Sequence, residues 1–217
     1  MPPSGGGGFT VTRRGFLAAA VTPGLMRAPP AMLSFDVFRD GTRIGFHRIR
    51  FQTDGGLLTA NVSVEIAVKF GPVTLFRYAH SVREVWRDGQ FVSLVSETND
   101  DGKQFNVNAR RTEQNVSVRA SPPAAAMLAP DAIPLTHWNI LCMRRPLFNP
   151  QDGVLVDSRV IEGGDETVRL ADGGLVAARH YSLRGKVNLD DWYDRADVWT
   201  ALRSPAKDGS IIDYRRA

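Results

Sequence analysis

Leu57-Leu58-Thr59-Ala60-Asn61-Val62-Ser63-Val64-Glu65-Ile66-Ala67-Val68-Lys69-Phe70, closed by Gly71-Pro72, decides the fold class of this chain. Side chains of an extended chain alternate between two faces. That places Leu58, Ala60, Val62, Val64, Ile66 and Val68 on one side and Asn61, Ser63, Glu65 and Lys69 on the other. The next run, Val73 to Arg87, is equally long. Strands of about fourteen residues reach roughly 45 Å at ~3.3 Å per residue, too far for a compact flat sheet. Long antiparallel strands twist and curl, so the expected architecture is all-β: a strongly curved antiparallel sheet or open β-barrel.

Working outward, turn signals recur at short intervals. They are Asp40-Gly41, Asp54-Gly55-Gly56, Gly71-Pro72, Asp88-Gly89, Asp101-Gly102, Asp152-Gly153, Gly163-Gly164, Asp172-Gly173-Gly174 and Asp208-Gly209. Asp-Gly between alternating apolar runs marks a hairpin, because both residues accept the positive φ of a type I′ turn. Strands are expected between these turns over 33–39, 44–52, 57–70, 73–87, 90–98, 103–111 and 114–120. A second run follows over 154–161, 166–170, 175–184, 186–193, 198–204 and 210–214. Ser121 to Pro150 breaks the meander with six prolines around Leu135-Thr136-His137-Trp138-Asn139-Ile140-Leu141. Proline at that density excludes central strands and long helices. This segment is expected as a partly helical connection covering the concave face of the sheet, with Met127, Leu128, Ile133, Leu135 and Trp138 as its apolar contacts.

The chain start carries a different signal. Arg13-Arg14-Gly15-Phe16-Leu17 precedes an alanine-containing apolar stretch that ends at Arg27-Ala28-Pro29-Pro30-Ala31. Paired arginines, a short and weakly apolar core and a small-residue exit form the pattern of a twin-arginine export signal, too short to span a membrane. Residues 1–31 are therefore expected as a leader handled by the twin-arginine export machinery through Arg13 and Arg14. Residues 32–217 would be a single β-rich domain working in the periplasm, with no transmembrane segment.

Residues 1–31 hold three arginines and no acidic residue, so the remainder keeps 24 basic residues against 23 acidic ones. A near-neutral chain whose charges alternate with apolar residues does not form a phosphate-binding surface, and nucleic acid is not expected as a partner. One cysteine, Cys142, permits no intrachain disulfide. Its setting, Asn139-Ile140-Leu141-Cys142-Met143, fits a buried small hydrophobe better than a reactive thiol.

Catalytic motifs are missing: there is no Gly-x-Ser-x-Gly, no dinucleotide or phosphate loop, and no paired-histidine metal spacing. No cofactor and no metal are expected. By parity Tyr78, His80, Val82, Glu84 and Trp86 share one face of a strand. His80 and Glu84 lie about 13 Å apart along it, at ~3.3 Å per residue, and each needs a partner from a neighbouring strand. His47, His137 and His180 stand alone. Asp190, Asp191, Asp194 and Asp197 read as a solvated turn with Trp192 and Tyr193 beneath it, and Arg144-Arg145 as exposed charges that could greet an anion.

Four segments, in order, carry a resemblance: Leu33 to Gly45, Arg83-Glu84-Val85-Trp86-Arg87-Asp88-Gly89, Thr136-His137-Trp138-Asn139 and Asp190-Asp191-Trp192-Tyr193-Asp194. Together they resemble an uncharacterised family of secreted bacterial β-proteins, domain of unknown function 6134, similar in layout to the 3108 group. The resemblance implies an exported, single-domain curved sheet and, by looser analogy, the open barrel of periplasmic lipoprotein carriers. It supplies no catalytic residues, and fold analogy alone does not establish function. The leading expectation is a carrier or binding protein for an amphipathic or lipid-like molecule. Phe46, Phe70, Phe76, Tyr78, Trp86 and Trp138 would line its pocket, with His80, Glu84 and His137 as polar groups. The alternative is an envelope structural or protein-interaction module without a small ligand; an enzyme ranks third.

Overall fold

The computed structural model describes residues 29–122 and 124–217, so nearly all of the expected leader, Arg13 and Arg14 included, lies outside the described residues. The first strands are β1 (Met32–Arg39), β2 (Thr42–Asp54), β3 (Leu57–Phe70), β4 (Val73–Arg87), β5 (Gln90–Asp100), β6 (Lys103–Arg111), β7 (Val116–Ser121) and β8 (Ala124–Leu128). A connection follows that contains β9 (Ile133–Pro134), a 3-10 turn over Ile140–Met143 and β10 (Leu147–Phe148). The second run is β11 (Ser158–Arg169), β12 (Leu175–Gly185), β13 (Leu189–Asp194), β14 (Trp199–Pro205) and β15 (Ile211–Arg216).

Thirteen of these strands make one sheet in the order β11-β12-β13-β14-β15-β1-β2-β3-β4-β5-β6-β7-β8, while β9 and β10 pair with each other. Two antiparallel meanders are thus fused where the last strand joins the first, Val37 lying opposite Tyr214. Among the described residues the sheet does not close into a barrel: β8 and β11 are its two edges. No helix among the described residues is long and apolar enough to cross a membrane.

Hairpin chemistry follows the Asp-Gly reading. Asp40 and Gly41 (φ 46° and 85°), Asp88 and Gly89 (50° and 74°), and Asp101 and Gly102 (50° and 91°) all take positive φ. That pair of angles is the type I′ geometry, whose twist matches the strands it joins. Two sequence readings are corrected. Gly163-Gly164 does not end a strand but forms a bulge inside β11, where the register with β12 shifts between Glu162 and Asp165. A Cβ at Gly163 would sit 2.8 Å from the His180 ring, so the bulge gives that side chain room. The proline-rich segment also yields a strand, β8, before the connection begins. Its place at the sheet edge is where proline-flanked strands belong.

Burial follows the alternation. Leu33 and Phe35 on β1, Ile49 and Phe51 on β2, Ala60, Val62 and Val64 on β3, and Val82 and Trp86 on β4 join one apolar cluster. Tyr181, Leu183, Tyr193 and Trp199 extend it across the second meander. From the connection, Ile133, Trp138, Cys142, Met143, Leu147 and Phe148 are buried in the same cluster. Its helical content among the described residues is the single 3-10 turn, started by Asn139, whose Oδ1 accepts from the Leu141 amide at 3.1 Å. Such a turn satisfies an end of chain that would otherwise leave amides unpaired.

Candidate functional site

A cross-strand row carries the first polar groups inward. His47 on β2 lies opposite Val64 on β3, which lies opposite His80 on β4, which lies opposite Thr98 on β5. Neighbouring strands are ~4.8 Å apart, so the two histidine backbones stand about 10 Å from each other across Val64. Two further pairs along β4, parity brings Glu84 to the same face. His137 enters from the connection. These four side chains, with Tyr78, Leu135, Thr136 and Tyr214, line a cavity of about 90 Å³ between the sheet and the connection.

Each polar group there has its own support. His80 Nδ1 bonds the Thr98 hydroxyl at 2.8 Å. Glu84 is 1% exposed, and its Oε2 accepts from the indole N–H of Trp86 (2.9 Å) and of Trp138 (3.2 Å). Burial pushes the Glu84 carboxyl up to about 7, against the opposing pull of those indoles and the Thr136 hydroxyl. Burial also lowers His80 to about 4. It holds His47 well below the ordinary histidine range, helped by repulsion from His137 and His80. At neutral pH both sheet histidines are therefore uncharged. His47 Nε2 is buried and has no hydrogen-bond partner among the described residues.

His137 is fixed most firmly. Its Nδ1 donates to Oδ2 of Asp191 at 2.8 Å, and Asp191, 0% exposed, accepts on Oδ1 from the Trp199 indole at 2.9 Å. The ring stacks on Trp199, with centroids 5.1 Å apart and planes at 25°. Its carbonyl accepts from the Tyr193 hydroxyl at 2.8 Å. A bulge makes this possible. Tyr193 pairs with Trp199 but Trp192 pairs with Ala201, so Thr200 is the extra residue on β14. The shift lets Trp199 and Leu202 both face the core while Ala201 packs with Trp192 on the opposite face.

Asp191 thus departs from the expected solvated turn: on a strand it faces opposite to Asp190, and its burial is matched by two hydrogen bonds. Sequence reading also passed over His47 and Tyr214. Among the aromatic residues expected in the pocket, Tyr78 lines it. Trp86 and Trp138 lie in the core behind it, edge-on at 5.4 Å, and act through Glu84. The other three do not reach it. Phe46 is on the opposite face of β2 under the Arg48 guanidinium, 4.3 Å from its ring centroid. Phe70 is 77% exposed at the β3–β4 turn, and Phe76 is half-buried near that same end. Arg145 pairs with Asp131 at 3.2 Å, while Arg144 lines a wider groove of about 960 Å³ with Met32, Trp138, Ile140, Arg195 and Val198. Cys142 is fully buried, and burial pushes its thiol up.

A cavity flanked by a carboxylate-oriented imidazole and a carboxyl of raised pKa is an arrangement able to bind, and to exchange protons with, a small molecule. Among the described residues no three His, Cys, Asp or Glu side chains are grouped to hold a metal ion.

Residues 35–217 match a protein family described as a domain of unknown function. The chain belongs to that family, DUF6134. A DUF6134 chain also has a counterpart among solved folds: the crystal structure of a beta-barrel-like protein of the domain of unknown function DUF1849 from Brucella abortus. The two superpose with a TM-score of 0.62 at 12% identity, over 88% of this chain and 97% of that one. At that identity the likeness is one of fold. No curated protein matches the chain.

Proposed function

We propose that this DUF6134 chain is the precursor of a periplasmic protein, exported by the twin-arginine machinery, whose β-domain binds a small ligand in the histidine-lined cavity. The connection over residues 129–157 is the roof of that site, laid over the inner face of a curved sheet. The observation that carries the reading is His47 Nε2, a buried polar atom without a partner on the wall of a cavity. Leaving such an atom unpaired costs about 1–3 kcal/mol, which a ligand group recovers on binding. Apolar walls from Ile49, Val62, Val64 and Val82 alternate with neutral imidazoles, which suits an uncharged molecule with both apolar and hydrogen-bonding parts. Size narrows the amphipathic ligand expected from sequence. A cavity of about 90 Å³ is smaller than the ~150 Å³ that admits benzene, so an acyl chain does not fit it.

Native mass spectrometry of protein recovered from periplasm without detergent tests this reading. A small non-covalent mass that leaves on denaturation supports it, and its identity names the ligand class. A bare polypeptide at all collision energies refutes it. One feature favours a second reading, a protein-interaction module of the envelope. The unclosed sheet leaves β8 and β11 as edges whose backbone groups could add a partner strand. Crosslinks to an envelope protein that map to those two strands, with an empty cavity, would select it.

A further inference from the structure

The cavity wall holds more than binding requires. Among the described residues the ring of His137 makes one hydrogen bond, Nδ1 to Asp191, so the Nε2 lone pair is left for the cavity. The same logic orients the imidazole of hydrolytic triads, where a buried carboxylate fixes the tautomer and supports the charge formed on accepting a proton. Trp199 both braces Asp191 (2.9 Å) and stacks on the ring, so neither partner can turn away. Glu84 faces the same space. Both indole donors sit on its Oε2, which makes that oxygen the acceptor and leaves Oε1 as the site of a proton. None of the cavity-lining residues is a serine or cysteine, and the Thr136 hydroxyl there is engaged with the Glu84 carboxyl.

We propose that the cavity is a proton-transfer active site in which His137 is the base and Glu84 the acid, interconverting keto and enol forms of a small uncharged carbonyl compound. The inference rests on the cavity taking a ligand, as proposed above. His137 Nε2 removes the proton from the carbon next to the carbonyl; the C–H electron pair becomes the C=C bond, and the carbonyl oxygen takes the proton of Glu84. In the reverse step the enol oxygen returns its proton to Glu84 while His137 gives a proton, exchanged with solvent, back to the same carbon; both groups are restored, and no oxidant, reductant or cofactor enters. Glu84 is suited to the role because burial keeps a large share of it protonated near neutral pH, as with carboxyls that donate in other proton-transfer sites. Asp191 is a positioning residue. A three-carbon ketone is the size the cavity admits.

The test incubates the full-length protein with acetone or hydroxyacetone in D₂O and follows loss of the C–H signals by proton NMR. Parallel spectra report shifts of the His47 and His137 ring resonances. Exchange at least about 100-fold faster than with equimolar free imidazole plus acetate is expected. It should fall at least 10-fold in His137→Gln and in Glu84→Gln. In Asp191→Asn it should fall while the ring ¹⁵N shifts of His137 lose the Nδ1–H pattern, a change that a purely structural role would not produce. Ring shifts on adding ketone without accelerated exchange would overturn proton transfer and leave ligand binding standing. No ring shift and no exchange would remove both. If a variant loses its native spectrum, the wild-type rate against the free-imidazole rate decides alone.

Discussion

Replacing Glu84 by glutamine should stabilise the protein above neutral pH and leave it nearly unchanged in acid. The carboxyl is buried in the fold and titrates near 7, against an ordinary value of 4.5 when the chain is unfolded. Between those limits the folded state holds a proton that the unfolded state has released, so stability must fall as pH rises from about 4.5 to 7. Below that window neither state is ionised and the penalty is absent; above it the penalty is complete. A difference of that size corresponds to ~3 kcal/mol, at about 1.4 kcal/mol per unit. Glutamine keeps the shape, and its carbonyl can accept from the Trp86 and Trp138 indoles as Oε2 does. In a chain of this size ~3 kcal/mol moves the melting temperature by roughly 6–12 °C. Thermal unfolding of wild type and variant across pH 4 to 8.5 is the assay. The variant curve should separate upward from wild type between pH 4.5 and 7. Curves that stay parallel, or a variant less stable at every pH, would refute a buried carboxyl that ionises at a cost.

His80 should impose the opposite slope. Its folded value near 4 lies below the ordinary 6.5, so its contribution is complete above 6.5 and is lost as pH falls toward 4; His80→Gln should flatten that acid limb in urea titrations. Gly45→Ala should cost about 2–3 kcal/mol by chemical denaturation, since a Cβ there would lie 2.0 Å from the Glu65 carbonyl oxygen, and backbone has nowhere to move inside a paired sheet. Trp138→Ala should cost about 3–5 kcal/mol, because it empties the contact with Phe51 and Trp86 and removes a donor from Glu84. Exchanging both Arg13 and Arg14 for lysine should strand the precursor in the cytoplasm; immunoblotting of cell fractions that finds it exported normally would contradict the leader assignment.

The strands were legible because alternation and Asp-Gly turns are local. β3 and β4 run where the apolar parity of residues 57–87 puts them, and the paired positive φ of Asp88 and Gly89 is written in two adjacent residues. Gly163-Gly164 misled because a glycine pair serves a bulge as well as a turn, and only the facing His180 ring decides between them. The site was legible in part. Parity put Tyr78, His80 and Glu84 on one face, but the partners that give them character come from elsewhere. Trp138 is 54 residues from Glu84, and Asp191 is 54 residues from His137. No spacing rule links residues at such separations. Asp191 looked like one of several surface acids because its partners are distant: the bulge at Thr200 turns Trp199 to its face, which is invisible until β13 and β14 are paired.

Binding at His47 is the claim on which the functional account turns, and a crystal structure of protein recovered without detergent from cells that make it natively tests it most directly. The account predicts non-protein density in the cavity with a polar atom within about 3.2 Å of His47 Nε2. A cavity holding only ordered water, or one closed by side chains, would contradict it.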